Sequence, residues 1–209
     1  MDCRKKIVFR PPVCFVCGAI VPARAESGIP AGRTCIICRA RTPIYAFFSP
    51  FSYRDPKIRT LIHDLKYKRM RVIAPLFAAV LQDYFSYYAV SLPDDAFLIP
   101  IPLHTKRRRL RGFNQAELIA KPLAEGLRCA FLPAMLVKTK KTKPQVGLLA
   151  EERRENMHGS FLTANAGKIA GKTVVLVDDV KTTGTTLEEA AYMLKRAGAA
   201  RVWAVTVAH

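Results

Sequence analysis

One stretch of the sequence combines residue types that suit the binding of a phosphorylated sugar. Residues 174–190, VVLVDDVKTTGTTLEEA, begin as an apolar strand that ends in Asp178 and Asp179, and they continue through a Thr-rich turn around Gly184 into a helix. Carboxylates accept hydrogen bonds from vicinal hydroxyl groups, and the N–H groups at a helix N-terminus attract a phosphate. A capped helix alone requires neither the adjacent acids nor the repeated threonines. We therefore expect a site for a ligand such as ribose 5-phosphate.

The cysteines include two C-x-x-C pairs that predict a metal site. Cys14 and Cys17 form the first pair, Cys35 and Cys38 form the second, and seventeen residues separate them. This spacing fits four-thiolate zinc sites, in which two tight turns close a tetrahedron around the ion. Two disulfides or a thioredoxin-like redox motif are the alternatives, which a reducing compartment and the lack of a βαβ pattern around either pair disfavour. We expect a structural Zn²⁺ with no open catalytic position.

The chain is strongly basic. Its 34 basic and 16 acidic residues give a formal net charge of +18, which favours a polyanionic partner such as nucleic acid, a phosphorylated metabolite or an anionic membrane surface. A solvated basic face is the alternative. Two basic segments supply candidates for contact with pyrophosphate or a nucleic-acid backbone. These candidates are Arg107, Arg108, Arg109, Arg111, Lys140, Lys141 and Lys143.

No segment has the pattern of a membrane span or a secretory signal. The longest apolar stretch, residues 72–81, is interrupted by Pro75 and is too short to cross a bilayer. The N-terminal residues are basic but lack the apolar run of a signal peptide. We expect a cytoplasmic protein with reduced thiols and without membrane insertion.

These residues must be positioned by an α/β fold. Strand-like and helix-like segments alternate through the last two thirds of the chain, which predicts a parallel sheet covered by helices. We expect residues 1–43 to form a small N-terminal zinc knuckle and residues 44–209 to form the α/β domain.

The period of the apolar residues predicts the individual elements. The expected strands lie at 46–53, 96–102, 134–138, 160–162, 172–177 and 201–208, and the expected helices lie within 55–69, 75–88, 114–127, 149–156 and 186–196. The basic segments 103–112 and 139–147 lack such a period and are expected to be loops. The aromatic residues of the second helix are expected to pack in the core, with stacking on nucleobases as the alternative.

Several segments resemble those of a known family. Residues 174–187 are similar to the signature of the type I phosphoribosyltransferases. The two C-x-x-C pairs, LKYKR at 65–69, PIPLHTKRRRLRGFNQAE at 100–117 and KTKPQVGLLAEERRENMHGSF at 141–161 extend the resemblance over nearly the whole chain. Together they resemble the ComF family, whose members join a cysteine knuckle to a phosphoribosyltransferase-like domain.

The resemblance implies a ligand and roles for individual residues. Asp178 and Asp179 would bind the ribose hydroxyls of 5-phosphoribosyl-1-pyrophosphate (PRPP), and Mg²⁺ would accompany its pyrophosphate. The 5-phosphate would be bound by the turn residues Lys181, Thr182, Thr183, Gly184, Thr185 and Thr186. For His104, at the ligand end of a strand, a structural and a catalytic role are both open, and no catalytic residue is assigned.

Two functions of different classes are compatible with these features. An enzyme would transfer ribose 5-phosphate from PRPP to an unidentified acceptor, or cleave PRPP with water, while basic groups stabilise the departing pyrophosphate. A competence-associated protein, which the ComF resemblance implies, would handle single-stranded DNA and keep the PRPP site for binding or regulation. Its partners would be single-stranded DNA and a competence helicase or another DNA-processing protein. The large positive charge favours this second function.

Overall fold

The computed structural model describes residues 7–23, 30–139 and 159–209, and a parallel sheet lies at its centre. The strands are β1 (Ile44–Phe48), β2 (Phe97–Pro100), β3 (Ala130–Phe131), β4 (Leu136–Lys138), β5 (Phe161–Thr163), β6 (Thr173–Val180) and β7 (Arg201–Ala208). Five of them form one sheet in the order β1-β7-β6-β2-β3, and all neighbouring pairs in it are parallel. β4 and β5 form a separate antiparallel pair.

Helices connect the strands, as a parallel sheet requires. They are α1 (Pro56–Tyr67), α2 (Ile73–Tyr87), α3 (Thr105–Arg111), α4 (Gln115–Leu127) and α5 (Thr185–Arg196). Short 3-10 helices lie at Arg39–Arg41 and Ala166–Lys168. No described helix combines the length and the apolar composition that crossing a bilayer requires.

Both faces of the sheet are covered, because successive residues of a strand point to opposite faces. Val175 and Val177 of β6 face a core formed with α1, α2 and α4. Val174 and Leu176 of the same strand face a second core formed with α5. The predicted parallel sheet covered by helices is therefore confirmed.

The N-terminal cysteine segment lies against β1, at the edge of the sheet. Phe15 is buried in the same core as Phe47 of β1, and their rings meet edge to face at 5.4 Å. The N–H of Phe47 donates to the carbonyl of Gly32 at 2.9 Å, and the N–H of Thr34 donates to the carbonyl of Tyr45 at 2.8 Å. The boundary drawn between the knuckle and the α/β domain stays a prediction.

Local structure agrees with the sequence in most places, but the strand β3 (Ala130–Phe131) has no counterpart among the expected strands. The expectation of a loop at 103–112 is wrong over most of its length, because Thr105–Arg111 form α3. None of the α3 residues is buried, so the apolar period that indicates a helix is missing. Tyr84 and Phe85 of α2 pack in the core as expected, whereas Tyr87 is 72% exposed and does not. The predicted helix at 149–156 lies outside the described residues.

Candidate functional site

A cavity of about 500 Å³ lies beyond the carboxyl ends of β2 and β6, the edge at which open parallel sheets bind ligands. It is lined by charged and amide side chains from α1, α3, α4, β4 and β6: Lys66, Arg107, Arg111, Gln115, Lys138, Asp178 and Asp179. The hydroxyl residues Thr182 and Thr186 line it as well. The fold thus brings the predicted acid pair together with cations from distant parts of the sequence.

The two adjacent acids have different surroundings. Asp179 is 2% exposed, forms an ion pair with the ammonium group of Lys66, and accepts a hydrogen bond of 3.1 Å from the Nε2 of Gln115. Asp178 is half-buried, and its Oδ1 accepts a hydrogen bond of 2.9 Å from the N–H of Asp179. The pair therefore consists of one fixed and one less constrained carboxyl group.

Burial acts on both carboxyl groups, but within the described ranges only Asp179 has a compensating cation in contact. Burial, and then the charge of Asp179, raise the pKa of Asp178 well above its ordinary value. Burial also raises the pKa of Asp179, but the charge and hydrogen bond of Lys66 and the amide of Gln115 outweigh it, so the pKa of Asp179 lies below its ordinary value. Asp179 is the ionised member, and Asp178 is the member whose protonation a ligand can change.

Lys66 reaches the acids because α1 ends beside them. Asp55 caps the start of this helix, and Ile62 and Leu65 bury one of its faces. Burial lowers the pKa of Lys66, but the charge and hydrogen bond of Asp179, together with the charge of Asp178, outweigh burial, so the pKa of Lys66 lies above its ordinary value. In the sequence, Lys66 is distinguished only as part of LKYKR at 65–69, one of the segments that resemble the ComF family. No local spacing indicates its contact with an acid so far along the chain.

The turn after β6 encloses a smaller cavity of about 50 Å³, whose lining includes Lys181, Thr182, Gly184 and Thr186. Gly184 is the N-cap of α5 and adopts a φ of 89°. Because a glycine has no side chain, it cannot satisfy the first N–H groups of the helix. The hydroxyls of Thr183 and Thr185 lie 3.0 Å apart beside it. Hydroxyl groups and a helix N-terminus around a small cavity suit an anion such as phosphate.

Lys181 and Gly184 connect this turn with the cysteine segment. The ammonium group of Lys181 lies 4.8 Å from the ring centroid of Phe15 and 5.4 Å from that of Phe47, and burial lowers the pKa of Lys181. A Cβ atom on Gly184 would lie 2.6 Å from the Cζ of Phe15. Phe15, which lies between the first two cysteines, therefore packs against this turn.

The predicted basic contact residues divide into three groups. Arg107 and Arg111 line the main cavity. Arg108 lies 3.4 Å from the carboxylate of Glu117, and Arg109 is exposed; neither lines that cavity. Lys140, Lys141 and Lys143 lie outside the described residues.

Lys138, at the end of β4, lines the cavity although it is not among the predicted contact residues. Burial, and then the charge of Arg107, lower the pKa of Lys138 to about 8. Its basic neighbours in the sequence are the signal that could have identified it. The charge of the cavity therefore changes within the weakly alkaline range.

Three residues next to the cavity stabilise local structure. His104 caps α3 through its side chain. Asn114 caps α4 and donates a hydrogen bond of 3.0 Å to the carbonyl of Ile101. Phe113 is buried. These contacts support a structural role for His104.

The four cysteines of the C-x-x-C pairs come together. Their sulfur atoms all lie within 4.8 Å of one another, with 3.8 Å between Cys14 and Cys35 and 3.9 Å between Cys17 and Cys35. A disulfide requires about 2.05 Å. Thiolates around a tetrahedral zinc ion, with Zn–S bonds of about 2.3 Å, lie about 3.8 Å apart. The cluster can therefore hold a metal such as zinc.

The thiol groups of the cluster influence one another's protonation. Burial raises the pKa of Cys14, but hydrogen bonds from the backbone N–H groups of Cys17, Cys35 and Val16 outweigh it and lower the pKa to about 7. The hydrogen bond with Cys35, and then burial, raise the pKa of Cys38 to about 12. Four neighbouring thiols cannot all ionise without a cation, and metal ligation requires that they do.

The parallel sheet, the acid pair with its Thr-rich turn and the cysteine cluster define a phosphoribosyltransferase-like protein with an N-terminal four-cysteine cluster that can hold a metal. A family model described as phosphoribosyl transferase domain matches residues 114–209. The chain is 33% identical over 199 residues to DNA utilization protein YhgH of Salmonella typhi, covering 91% of this chain and 87% of that protein. It belongs to the ComF family.

Two further relatives match over most of the chain, and one solved structure resembles part of it. The chain is 29% identical over 201 residues to competence protein F of Haemophilus influenzae, covering 94% of this chain and 83% of that protein. It is 31% identical over 205 residues to competence protein ComFC of Bacillus subtilis, covering 95% and 78%. A solved allosteric regulatory enzyme of purine biosynthesis is 19% identical with a TM-score of 0.42, covering 64% of this chain and 26% of that one.

Proposed function

We propose that this protein is associated with competence or DNA utilization, binds PRPP with Mg²⁺ in the main cavity and handles single-stranded DNA in the cytoplasm. The observation that carries the proposal is the junction of the acid pair, the α5 turn and several cations in one cavity of about 500 Å³. The names of the relatives, a DNA utilization protein and two competence proteins, support the connection with DNA.

The sugar and its phosphate fit the carboxyl end of β6. The carboxyl group of Asp178 lines the cavity and is half-buried, so it can accept hydrogen bonds from the ribose hydroxyls. Asp179 is held in place by Lys66 and Gln115. Its negative charge would therefore stay in a fixed position beside the bound sugar. The 5-phosphate would enter the cavity of about 50 Å³ at the N-terminus of α5, next to Thr182.

The pyrophosphate would meet the basic side of the same cavity. Arg107 and Arg111 of α3 and Lys138 of β4 line this side, and arginine binds phosphate oxygens through its paired N–H donors. Mg²⁺ prefers oxygen ligands and usually binds through substrate phosphates and one or two carboxylates. Asp178 would supply such a carboxylate, and the bound ion would neutralise part of the pyrophosphate charge.

The basic exterior supports the handling of single-stranded DNA. The net charge of +18 exceeds what one pyrophosphate requires, and Arg108 and Arg109 lie on the exposed side of α3. Such side chains contact a phosphodiester backbone without reading its sequence. Binding of this kind weakens steeply as salt rises.

Turnover of PRPP is the second candidate function, and the position of Arg107 and Lys138 in the cavity of Asp178 favours it. In turnover, an acceptor or water forms a bond to the ribose C1 while the C1–O bond breaks and pyrophosphate leaves with the electron pair. Fixed cations stabilise the charge that develops on the leaving group.

A calorimetric titration with Mg-PRPP, with pyrophosphate release followed in the same sample, tests both candidates. Binding without release supports a binding or regulatory site, and release supports turnover. The variant Asp178→Ala with Asp179→Ala should lose PRPP binding and keep its zinc content. The matched control replaces Asp94 and Asp95, an exposed acid pair before β2, by alanine. It should bind PRPP as the wild type does. Equal PRPP affinity in the first variant would refute the assignment of the site.

A further inference from the structure

A second basic cavity lies at the opposite end of the strands, where β1 and β7 begin. Its volume is about 270 Å³, and its charged lining residues are Arg33, Arg39, Lys195 and Arg201. Arg201 begins β7, whereas Thr206, five residues further on, is paired with Asp178 in the sheet. At about 3.3 Å per residue this separation is about 17 Å along the strand. The second cavity is therefore distinct from the PRPP cavity.

Among the described residues, the cations of this second cavity have no acidic neighbour. No aspartate or glutamate lines it, and within the part of the chain that the structure describes Arg33, Arg39 and Arg201 form no ion pair. Lys195 donates to the carbonyl of Ala200 at 2.9 Å, a neutral group that does not compensate its charge. Cations around one recess repel each other, and a bound anion removes that repulsion.

The backbone fixes the position of two of these cations. Arg33 forms a β-bridge with β1, and the buried hydroxyl of Thr34 donates to the carbonyl of Ile44 at 2.6 Å. Arg39 directly follows Cys38 and begins the short helix at 39–41. The cysteine cluster and the sheet edge together determine where this charge lies.

Tyr45 indicates which part of a nucleic acid would bind here. Its ring centroid is 5.4 Å from the guanidinium carbon of Arg33 and 5.0 Å from that of Arg201. The ring also stacks with Trp203 at 6.2 Å and an interplanar angle of 21°. With an indole and two guanidinium groups packed on it, Tyr45 offers no face to a base. A guanidinium that stacks by its face directs its N–H donors outward, towards oxygens.

We propose that this second cavity binds the phosphodiester backbone of single-stranded DNA, at a site separate from the PRPP cavity. The inference rests on the proposed DNA-handling function and gives it a location. We expect a single flexible strand to enter this recess of about 270 Å³ more readily than the paired backbones of a duplex. Because contact is made through phosphate, binding does not depend on base sequence.

The test is fluorescence anisotropy with a labelled oligothymidylate of roughly 20 nucleotides, longer than the 4–16 that one binding fold covers, over a range of salt concentrations. Arg39→Glu with Arg201→Glu should weaken binding about tenfold or more at low salt. The slope of log affinity against log salt should fall by about 1.4, since each phosphate contact of a single strand contributes about 0.7.

The matched control is Lys121→Glu with Arg128→Glu. It makes the same change of charge at two exposed positions on and just after α4, a helix whose main contacts with the sheet are to β2, β3 and β6. This control should keep most of the DNA affinity. Zinc content and Mg-PRPP binding should be unchanged in both double variants, which shows that the fold and the first site are intact.

Each other outcome contradicts a defined part of the proposal. Equal losses of DNA affinity in the two double variants would mean that net charge alone governs binding. Unchanged affinity in both variants would place the DNA elsewhere on the protein. Either result overturns this site and leaves the proposed function standing. Competition by duplex DNA as strong as that by a single strand would overturn the choice of ligand. If the wild-type protein bound no single-stranded DNA, the proposed function and this inference would fall together.

Discussion

Replacement of Gly184 by alanine tests whether the cysteine segment supports the phosphate turn. Gly184 has a φ of +89°, and the new methyl group would lie 2.6 Å from the Cζ of Phe15. Phe15 has little room to move, because it is 3% exposed and packs edge to face on Phe47 at 5.4 Å. The substitution therefore introduces both backbone strain and side-chain overlap.

The expected loss of stability is the sum of these two costs. The left-handed conformation costs a residue with a Cβ about 1–2 kcal/mol, and overpacking of a filled core costs about 1–3 kcal/mol. The total of about 2–5 kcal/mol is a large part of the usual free energy of unfolding, about 5–15 kcal/mol. At about 2–4 °C for each kcal/mol, the melting temperature should fall by roughly 4–20 °C.

Thermal unfolding followed by circular dichroism measures this loss, and calorimetry with ribose 5-phosphate measures the effect on the turn. The affinity should fall because the methyl group displaces the N-terminus of α5. Adding Phe15→Leu, which removes the Cζ atom, should make the double variant more stable than the sum of the single changes predicts, by about 1–3 kcal/mol. An alanine variant that melts and binds as the wild type does would refute the reasoning, and strict additivity would exclude the contact with Phe15.

Three further perturbations test the ion pair, the titrating lysine and the metal cluster. Lys66→Met leaves the carboxylate of Asp179 buried without its cation, so urea unfolding should show a loss of about 3–5 kcal/mol, and adding Asp179→Asn should restore most of it. Pyrophosphate affinity, measured by calorimetry, should decline more in the wild type than in Lys138→Arg as pH rises through about 8, because Lys138 is charged below its pKa and neutral above it, whereas arginine stays charged. Cys35→Ser should lose bound zinc in elemental analysis and melt at a lower temperature, whereas Cys129→Ser, outside the cluster, should keep its metal. Wild-type stability of Lys66→Met would contradict the ion pair with Asp179. Equal pH profiles of the wild type and Lys138→Arg would contradict the titration of Lys138. Full zinc content in Cys35→Ser would contradict the metal cluster.

The features that the sequence predicted correctly are local ones. The apolar run before Asp178, the Thr-rich turn and the following helix lie in one short stretch, so their order indicates a strand, a turn and a helix without knowledge of the rest of the chain. The two C-x-x-C pairs are local features as well, because the tight turn within each pair determines which sulfur atoms can meet. The alternation of strands and helices predicted a parallel sheet, but not the order β1-β7-β6-β2-β3, which long-range packing decides.

The features that the sequence did not reveal depend on contacts between distant segments or on end effects. Lys66 meets Asp179 only because the fold brings the end of α1 beside the end of β6. The helix α3 has no buried residue, so its caps define it rather than an apolar face. These caps are His104 at its start and Gly112, in the left-handed conformation, at its end. Caps are short signals, and a basic stretch without an apolar period hides them.

The contact between the cysteine segment and β1 has a consequence for the metal-free protein. β1, with the sequence IYAFF, is an edge strand of the sheet, and apolar edges of this kind recruit strands from other molecules. Gly32 and Thr34 cover that edge through hydrogen bonds with Phe47 and Tyr45. A chelator that removes the metal would loosen this cover and leave the edge open, so light scattering should rise after chelation and remain low in the metal-loaded protein. The metal-loaded cysteine cluster would thus prevent self-association through β1, a role that requires neither PRPP nor DNA.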